Sequence, residues 1–458
     1  MSVRFVVIGA GPAGVEAAAT GARLGADVTL VEREVVGGAA NLRDCIPSKA
    51  MIATGAVLDT LRRSAGLGLS IPGTAAPDLG RLRERIRRIS ERLATSMADQ
   101  LESQGVRLVR GVARLVGPHA VALSTGEEPG RDEQVVEADA VLLATGSRPR
   151  VPEWAQVDGD RVLTTRQAYP PRTIPEHLVV VGSGVTGVEF VHMFRSLGSK
   201  VTLLVSRQQV LPQKDPEVAA ALEADFLESG VRLVKGARAC ALERTGRGVA
   251  VRCEDGRQVE GSHVLLAVGS VPSSEGLGLE SAGVALSEGG YVPVNHHCQS
   301  NVPHIYAAGD LSGRLQLASV AAMQGRKVAE HVMGLHTREH RHLDYDKAAS
   351  AIFTEPEIAD VGLAEAEAFA LGRKIRVTKV PFATNARAVI DGDPRGFVKI
   401  VSDPATGVVL GGSIVGTRAA ELISVIALAV TAHLRVDDIA ESLFVHPALA
   451  EALAAAAE

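Results

Sequence analysis

Two glycine-rich segments have the residues and spacing needed to hold a pyrophosphate. One reads Gly9-Ala10-Gly11-Pro12-Ala13-Gly14 and the other reads Gly182-Ser183-Gly184-Val185-Thr186-Gly187. Glycines in a turn between a strand and a helix let backbone N–H groups approach a phosphate, and the helix N-terminus attracts its charge. A single glycine turn is often only a tight bend, but two copies in the same context predict two dinucleotide-binding sites.

The two copies have different residue types at the end of the second strand, which follows the helix after each glycine turn. Glu32 ends the first of these strands, where a carboxylate can accept a hydrogen bond from a ribose hydroxyl of an adenine dinucleotide such as FAD. The matching position of the second copy is Val205, followed by Ser206 and Arg207. A hydroxyl and a guanidinium suit a ribose 2′-phosphate better than an unmodified ribose. The second site is therefore predicted to prefer NADPH, with NADH as a possible second substrate.

A third candidate site is the segment Cys45-Ile46-Pro47-Ser48-Lys49. Pro47 is suited to a first helical turn, so Cys45 is predicted near a helix N-terminus, where a thiolate is favoured. The alternative is that Cys45 is a small buried hydrophobic residue without chemistry.

An internal duplication predicts the elements that position these residues. Each copy reads as a buried strand, a glycine turn, a helix and a second strand. The offset that carries Gly9 onto Gly182 also carries Gly14 onto Gly187 and Glu16 onto Glu189. Residues 79–101 are predicted to form an amphipathic helix, and strand-like runs at 397–401 and 408–410 precede an apolar helix.

Composition narrows the function classes. The 458 residues are enough for two to four domains, and 46% hydrophobic with 22% charged residues is typical of a globular protein. A net charge of −5 predicts neither nucleic-acid nor anionic-membrane binding. The apolar run 422–432 is too short to span a bilayer, so no stable membrane insertion is expected. Four scattered cysteines and no targeting pattern favour the cytoplasm.

Three further segments carry a family resemblance. They are Ala144-Thr145-Gly146-Ser147-Arg148-Pro149, Ala267-Val268-Gly269-Ser270-Val271-Pro272 and Ile305-Tyr306-Ala307-Ala308-Gly309-Asp310. With the glycine turns they make the whole chain resemble the pyridine nucleotide-disulfide oxidoreductases of the lipoamide dehydrogenase and glutathione reductase type. The resemblance implies an α/β fold with two Rossmann-like dinucleotide-binding domains and an α+β C-terminal dimerisation domain in a homodimer.

The resemblance also implies domain limits and cofactor contacts. The expected domains are 1–150 (FAD, first part), 151–272 (NAD(P)H), 273–343 (FAD, second part) and 344–458 (interface). The FAD-binding residues are expected to be Gly9, Gly11, Gly14, Glu32, Ala113, Thr145, Gly146 and Asp310. The NADPH-binding residues are expected to be Gly182, Gly184, Gly187, Ser206, Arg207 and Gly269.

The sequence departs from the family pattern at its redox loop. The family has two cysteines separated by four residues before Ile-Pro-Ser-Lys, and this chain has Ala40 in place of the outer one. A dithiol relay needs one sulfur to form the mixed disulfide and another to resolve it. Cys45 is implied to lie against the flavin, and Lys49 and Glu189 resemble the family's pair near the flavin N5 and the nicotinamide.

The C-terminal segment resembles the family's acid-base dyad, which is delivered from the other subunit. His446 and Glu451 are retained, so Glu451 is expected to orient the imidazole. The family's first histidine is replaced by Phe444, and the alternative for His446 is an ordinary surface histidine.

These observations favour an FAD-dependent NAD(P)H:quinone oxidoreductase, the activity of the family's branch that lacks one redox cysteine. Three alternatives remain open: a disulfide reductase, a single-cysteine oxidase or peroxidase that cycles Cys45 through sulfenic acid, and a non-enzymatic flavoprotein subunit.

Histidine-rich segments are not expected to bind metal. His296 and His297 are adjacent on a segment predicted to be extended, where neighbouring side chains point to opposite faces. The histidines at 331, 336, 340 and 342 form no second cluster with zinc-ligand spacing.

Overall fold

A computed structural model describes residues 2–125, 133–246, 248–335 and 343–458. The chain divides into two compact units. The first unit comprises Met1–Ser48, Arg83–Arg150 and Ser270–Tyr345, and the second comprises Lys49–Leu82, Val151–Gly269 and Asp346–Glu458. His336, His340 and His342 lie outside the described residues.

Helices and strands follow in chain order over the described ranges. The α-helices are α1 (Pro12–Arg23), α2 (Gly38–Leu42), α3 (Cys45–Arg62), α4 (Leu79–Ser103), α5 (Val185–Ser196), α6 (Pro216–Glu228), α7 (Ala318–Val332), α8 (Glu365–Ala370), α9 (Ala386–Ile390), α10 (Ala419–Ala432), α11 (Val436–Ala440) and α12 (Glu451–Ala457). The strands are β1 (Arg4–Ile8), β2 (Asp27–Glu32), β3 (Arg107–Arg110), β4 (Val112–Gly117), β5 (Ala120–Ser124), β6 (Glu133–Glu137), β7 (Ala140–Leu143), β8 (Ser147–Pro149), β9 (Val162–Thr164), β10 (His177–Val181), β11 (Lys200–Val205), β12 (Arg232–Lys235), β13 (Ala239–Arg244), β14 (Val249–Cys253), β15 (Gln258–Gly261), β16 (His263–Leu266), β17 (Ser270–Pro272), β18 (Ile305–Ala307), β19 (Ser350–Ile352), β20 (Ile358–Gly362), β21 (Arg376–Pro381), β22 (Phe397–Ser402) and β23 (Val409–Val415).

The first unit is built on a parallel sheet in the order β18-β7-β1-β2-β3. Its central strands are near-continuous apolar runs, because both faces of a parallel sheet are covered. α1 packs closely against α7, since a Cβ on Gly325 would lie 2.0 Å from the carbonyl oxygen of Ala13. An antiparallel sheet of β4, β5 and β6 completes this unit together with the β8–β17 ribbon.

The second unit repeats this design and confirms the predicted duplication. Its parallel sheet has the order β12-β11-β10-β16-β9, with β10 and β11 in the positions of β1 and β2. A three-stranded antiparallel sheet of β13, β14 and β15 corresponds to β4, β5 and β6. The predicted pair of Rossmann-like folds is therefore present, one in each unit.

The C-terminal part of the second unit is an antiparallel sheet in the order β19-β20-β23-β22-β21, with α10 beside it. This is the expected α+β region, but β23 extends to Val415, well beyond the predicted 408–410. Gly411 and Gly412 interrupt the apolar pattern because the strand runs close to its neighbours there. A Cβ on Gly411 would lie 2.5 Å from the backbone of Leu363, and one on Gly412 would lie 2.6 Å from the carbonyl oxygen of Lys399.

The apolar C-terminal helix starts earlier than predicted and is buried on only one face. α10 begins at Ala419, and its Ile426 is fully buried whereas Leu428 is 63% exposed. Within the described ranges, no helix combines the length and the apolar character needed to cross a membrane.

Candidate dinucleotide and redox sites

The first glycine turn has a backbone that excludes side chains at two positions. Gly9 has φ +102°, and a Cβ there would lie 2.5 Å from the carbonyl oxygen of Ala144. A Cβ on Gly14 would lie 1.9 Å from the carbonyl oxygen of Gly9. A Cβ on Gly11 would instead meet no atom of the described chain within 4 Å, which leaves this side of the turn open to a ligand.

Glu32 is held beside this turn by two backbone groups. Its Oε2 accepts a hydrogen bond of 2.8 Å from the N–H of Ala10, and its Oε1 accepts one of 2.8 Å from the N–H of Glu34. Each carboxylate oxygen has a second acceptor position, so the group can still accept bonds from a ribose. In the part of the chain that the structure describes, no side chain caps α1. Its N-terminal N–H groups and positive end suit a pyrophosphate.

The remaining expected FAD-binding residues lie in the same unit. Thr145 Oγ1 donates a 2.7 Å hydrogen bond to the carbonyl oxygen of Ser273, and the Gly146 carbonyl accepts one of 2.9 Å from the Ser273 N–H. Asp310 follows β18 in a 3₁₀ turn, where its Oδ2 accepts a 2.6 Å bond from Ser147 Oγ. Ala113 is buried within β4.

These residues fit a flavin dinucleotide. The turn provides an open backbone cradle, and Glu32 lies beside it. Sequence reasoning missed two serines: Ser147, which donates to Asp310, and Ser273, which bonds to Thr145 and Gly146. The available signal was a turn rich in hydroxyl residues after a strand.

The second glycine turn reproduces the geometry of the first. Gly182 has φ +110°, and a Cβ there would lie 2.3 Å from the carbonyl oxygen of Ala267. A Cβ on Gly187 would lie 1.9 Å from the Gly182 carbonyl oxygen, whereas one on Gly184 would meet no described atom within 4 Å. The backbone of this turn therefore fits a second pyrophosphate.

Side chains around the second turn differ from those around the first. Ser206 and Arg207 are exposed directly after β11, and the Arg207 carbonyl accepts a 3.0 Å hydrogen bond from the Gly236 N–H. Gly269, with φ +96°, lies in the turn between β16 and β17. An exposed hydroxyl and guanidinium at this position can bind an anionic group on the adenosine ribose.

Lys49 and Glu189 form an ion pair that joins α3 to α5. Lys49 Nζ lies 2.9 Å from Glu189 Oε2 and 3.2 Å from Oε1. The Phe353 N–H donates a 2.9 Å bond to Glu189 Oε1, and Lys49 Nζ lies 4.6 Å from the centroid of the Phe353 ring. Glu189 is 7% exposed, so this carboxylate is held by a cation and a backbone donor in a poorly solvated position. Sequence reasoning did not predict the Phe353 contact.

Cys45 is the first residue of α3, as predicted, and its side chain is exposed. Ala40 lies within the short helix α2, and the described chain contains no disulfide bond. The segment is anchored through Asn41, whose Nδ2 donates a 3.0 Å bond to the Ser90 carbonyl while Ser90 Oγ donates one of 2.9 Å to the Asn41 carbonyl.

His446 and Glu451 are in contact at the start of α12. His446 Nδ1 lies 2.8 Å from Glu451 Oε1, and the Ala448 N–H donates a 2.8 Å bond to Oε2. The Ala448 N–H and then His446 hold the pKa of Glu451 below its ordinary value. The carboxylate thus orients a ring whose side chain is 74% exposed.

The prediction of an extended segment at His296 and His297 is wrong. A hydrogen bond of 3.0 Å from the Cys298 N–H to the Asn295 carbonyl closes a turn there. The turn places the His296 and His297 rings side by side, with centroids 4.0 Å apart. The His297 ring also stacks on the His331 ring, with a centroid distance of 4.3 Å. Across the described residues, no group of three or more metal-ligating side chains is assembled.

Two glycine turns of the same geometry, each on its own parallel sheet, define a class of oxidoreductases that use two dinucleotides. Comparison with known proteins agrees. Residues 3–325 match the pyridine nucleotide-disulphide oxidoreductase family, and residues 348–457 match the dimerisation domain of that family.

Full-length relatives share this organisation. The chain is 42% identical to an "NAD(P)H dehydrogenase (quinone)" of Mycobacterium tuberculosis, over 100% of this chain and 94% of the relative. It is 34% identical to a dihydrolipoyl dehydrogenase of Chlamydia muridarum, with 99% and 95% covered. The crystal structure of LpdA from Mycobacterium tuberculosis superimposes with a TM-score of 0.93 at 41% identity, covering 99% of each chain.

The chain belongs to the pyridine nucleotide-disulphide oxidoreductase family. It is a flavoprotein oxidoreductase, and the family implies FAD and NAD(P)H as cofactor and substrate. The dimerisation-domain match supports a homodimer.

Proposed function

We propose that this protein is an NAD(P)H:quinone oxidoreductase that uses FAD and does not use a dithiol. The observation that carries the proposal is Ala40 in α2, five residues before Cys45. Disulfide exchange needs a second thiol to resolve the mixed disulfide, and this segment has none. A quinone accepts two electrons without forming a bond to sulfur. The printed name of the 42% identical relative supports the same acceptor class.

Residues of the first unit hold FAD in this proposal. The N–H groups around Gly11 bind the pyrophosphate, Glu32 accepts from the adenosine ribose, and Asp310 contacts the flavin side of the cofactor. When bound, FAD accepts a hydride from the nicotinamide and delivers two electrons to the acceptor. The first unit supports the assignment of 1–150 and 273–343 to the FAD domain except for Lys49–Leu82, which group with the second unit.

The Lys49–Glu189 pair has the role of a fixed charge beside the reacting rings. The Phe353 N–H and Lys49 together keep the Glu189 carboxylate in one orientation. A lysine held in this way supplies positive charge without reorganisation during the reaction, which is the efficient form of electrostatic catalysis.

Residues 151–272 bind NADPH in this proposal. The pyrophosphate of NADPH lies against the backbone of the second glycine turn, on the open side at Gly184. Ser206 and Arg207 bind the 2′-phosphate, and no carboxylate is present at the strand end to repel it. NADH lacks that phosphate and is the poorer substrate.

His446 supplies a proton to the quinone oxygen as negative charge develops there. Glu451 orients the ring through Nδ1, which leaves Nε2 to face the acceptor. The dyad belongs to the 344–458 interface region, so in the homodimer it serves the site of the partner subunit.

We assign the enzyme to the cytoplasm.

The test is anaerobic reduction of the purified protein with NADPH and, separately, with NADH, followed by reoxidation. The reoxidants are a benzoquinone, menadione, lipoamide, glutathione disulfide, hydrogen peroxide and oxygen. We expect rapid reduction by NADPH, rapid reoxidation by the quinones and negligible reoxidation by either disulfide.

Other outcomes would contradict the proposal in distinct ways. Efficient disulfide turnover would indicate a disulfide reductase despite Ala40. Peroxide turnover with a dimedone-trapped sulfenate on Cys45 would indicate single-cysteine chemistry. A flavin that NADPH does not bleach would indicate a non-enzymatic subunit.

A further inference from the structure

Helices α3 and α5 meet at a second place, where Gly55 faces Ser196. Glycine is unfavourable in a helix interior relative to alanine, so its presence there calls for a packing reason. An ideal Cβ on Gly55 would lie 2.9 Å from the Cβ of Ser196, a separation that real Cβ atoms do not adopt. The two helices are therefore closer at this point than an alanine would permit.

Asp59 lies one turn beyond Gly55 and binds three donors. Its Oδ2 accepts a 2.5 Å bond from Ser196 Oγ, and its Oδ1 accepts bonds of 3.0 Å from Arg195 Nη1 and 2.6 Å from Arg62 Nη1. Asp59 is 5% exposed and Ser196 is fully buried. Burial favours the protonated acid, but the bond from Ser196 and the charges of Arg195 and Arg62 outweigh it and hold the pKa of Asp59 below its ordinary value.

The same two helices carry the Lys49–Glu189 pair at their other contact. Ten residues separate Lys49 from Asp59, which is about 15 Å along α3, and seven separate Glu189 from Ser196, which is about 10 Å along α5. Two contacts so far apart determine both the crossing angle and the register of the helices. A shift at Gly55 or Asp59 therefore moves the Lys49 amine relative to the Glu189 carboxylate.

We propose that Gly55, Asp59 and Ser196 are positioning residues, which lock α3 against α5 and thereby hold Lys49 on Glu189 in the geometry that flavin reduction requires. The inference rests on the proposed function only through reduction of the flavin by NADPH. It does not depend on which acceptor reoxidises the flavin.

Four variants separate helix spacing from hydrogen bonding. Gly55→Ala adds a methyl group that forces the helices apart but leaves the Ser196 hydroxyl. Ser196→Ala removes the hydroxyl and keeps the spacing. The double variant Gly55→Ala with Ser196→Gly restores the spacing without the hydroxyl. Asp59→Asn keeps the shape of the side chain and removes its charge. Thr60→Ala is the matched control, because Thr60 is exposed on the same helix and its hydroxyl donates a hydrogen bond to the Ala56 carbonyl of α3.

Stopped-flow reduction by NADPH and a redox titration of the bound flavin are the two readouts. We expect Gly55→Ala and Asp59→Asn each to slow flavin reduction about tenfold, since misplacement of a group by a fraction of an ångström has effects of this size. Both should shift the flavin reduction potential, which a purely structural residue would not do. The double variant should recover the rate of Ser196→Ala, and Thr60→Ala should behave as wild type.

Thermal unfolding establishes that each variant is folded before its rate is interpreted. Folded Gly55→Ala and Asp59→Asn with wild-type rate and potential would overturn the proposal. A double variant as slow as Gly55→Ala alone would overturn the spacing argument. If those variants fail to fold, Ser196→Ala still decides the matter: a slower rate with a shifted potential supports the proposal, and no change in either contradicts it. Failure of quinone reoxidation in the wild type would refute the proposed acceptor and leave these results unaffected.

Discussion

The first helices of the two dinucleotide folds, α1 and α5, begin alike and pack differently. Both start from a glycine turn in which a Cβ on the third glycine would lie 1.9 Å from a carbonyl oxygen. α1 packs on α7 through small residues, whereas α5 packs on α3 through polar ones. The buried polar residues of α5 are Glu189, His192 and Ser196, and their counterparts in α1 are Glu16, Ala19 and Arg23.

This difference shows that backbone and side chains have separate roles in the duplicated fold. The shared turn geometry provides pyrophosphate binding in both copies, because it depends on N–H groups and on the absence of side chains. The buried ionisable residues Glu189 and His192 of α5 have no buried ionisable counterpart in α1, and Glu189 holds Lys49 of α3, whose charge we assign to catalysis. Duplication preserved the cradle, and the residues around it were free to diverge.

Substitution of the third glycine of either turn should disrupt dinucleotide binding in that copy and leave the other copy intact. In Gly187→Ala, the new methyl group collides with the Gly182 carbonyl, so we expect the Kd for NADPH to rise about a hundredfold while the flavin content stays normal. Gly14→Ala should instead lose flavin. Equilibrium binding and the flavin absorbance per protein measure both effects.

Gly184→Ala is the matched control for this prediction. Its Cβ meets no described atom within 4 Å, so folding stability should equal that of the wild type while NADPH binding weakens. Loss of flavin in Gly187→Ala would contradict the independence of the two copies.

His192, whose counterpart in the first fold is Ala19, should make the stability of the second fold depend on pH. Burial lowers the pKa of His192 to about 4, helped by Arg195 and Arg395 and opposed by Asp59. In the unfolded chain the His192 ring is therefore protonated below about pH 6.5, whereas in the folded chain it is protonated only below about pH 4. Stability is lost as the pH falls through this window, by about 3 kcal/mol in total.

His192→Gln tests this directly, since glutamine does not titrate. Relative to wild type, the variant should gain about 3 kcal/mol in its free energy of unfolding as the pH falls from 7 to 4, measured by denaturant titration. Parallel stability curves for the two proteins would show that His192 does not contribute.

Arg207→Ala tests whether the residues after β11 select NADPH over NADH. Loss of a charged hydrogen bond to the 2′-phosphate should lower the ratio of kcat/KM for NADPH over NADH about tenfold. Gln208→Ala, at the exposed neighbouring position, is the control. A wild-type enzyme that favours NADH, with a ratio unchanged in Arg207→Ala, would show that the assignment is wrong.

Glu451→Gln should have the smallest effect and should leave both dinucleotide sites intact. The depressed pKa of Glu451 gives stability that is present above its unfolded value near 4.3 and is lost as the pH falls through the folded value. Quinone reoxidation should slow about threefold because the His446 ring is less well oriented, while flavin reduction by NADPH is unchanged. A slower reductive half-reaction would argue against this role.

The sequence was sufficient for features that depend on local pattern. Apolar runs and glycine spacing predicted the strands and turns around Gly9 and Gly182, and Pro47 predicted a helix start at Cys45. The pattern failed at Gly411 and Gly412, where close strand packing removes the side chains that would indicate a strand.

Contacts between residues far apart in the chain could not be predicted from pattern. Periodicity shows which face of α5 is buried but not that Ser196 meets Asp59, or that the Phe353 N–H reaches Glu189. These pairings depend on how α3 and the segment after β19 pack on α5. The turn at His296 had a local signal that was missed: the side chain of Asn295 accepts hydrogen bonds of 2.9 Å from the His297 N–H and 3.0 Å from the Gln299 N–H.

In the proposed mechanism electrons pass to the acceptor without a sulfur relay, and single-turnover reoxidation of a Cys45→Ser variant measures whether the thiol is needed. The variant is reduced with NADPH under anaerobic conditions and mixed with a quinone in a stopped-flow instrument. We expect a reoxidation rate within about twofold of wild type, because the thiol does not set the barrier to electron transfer. If the quinone no longer reoxidises the flavin of this variant, Cys45 is an obligatory electron carrier and the proposed mechanism is wrong.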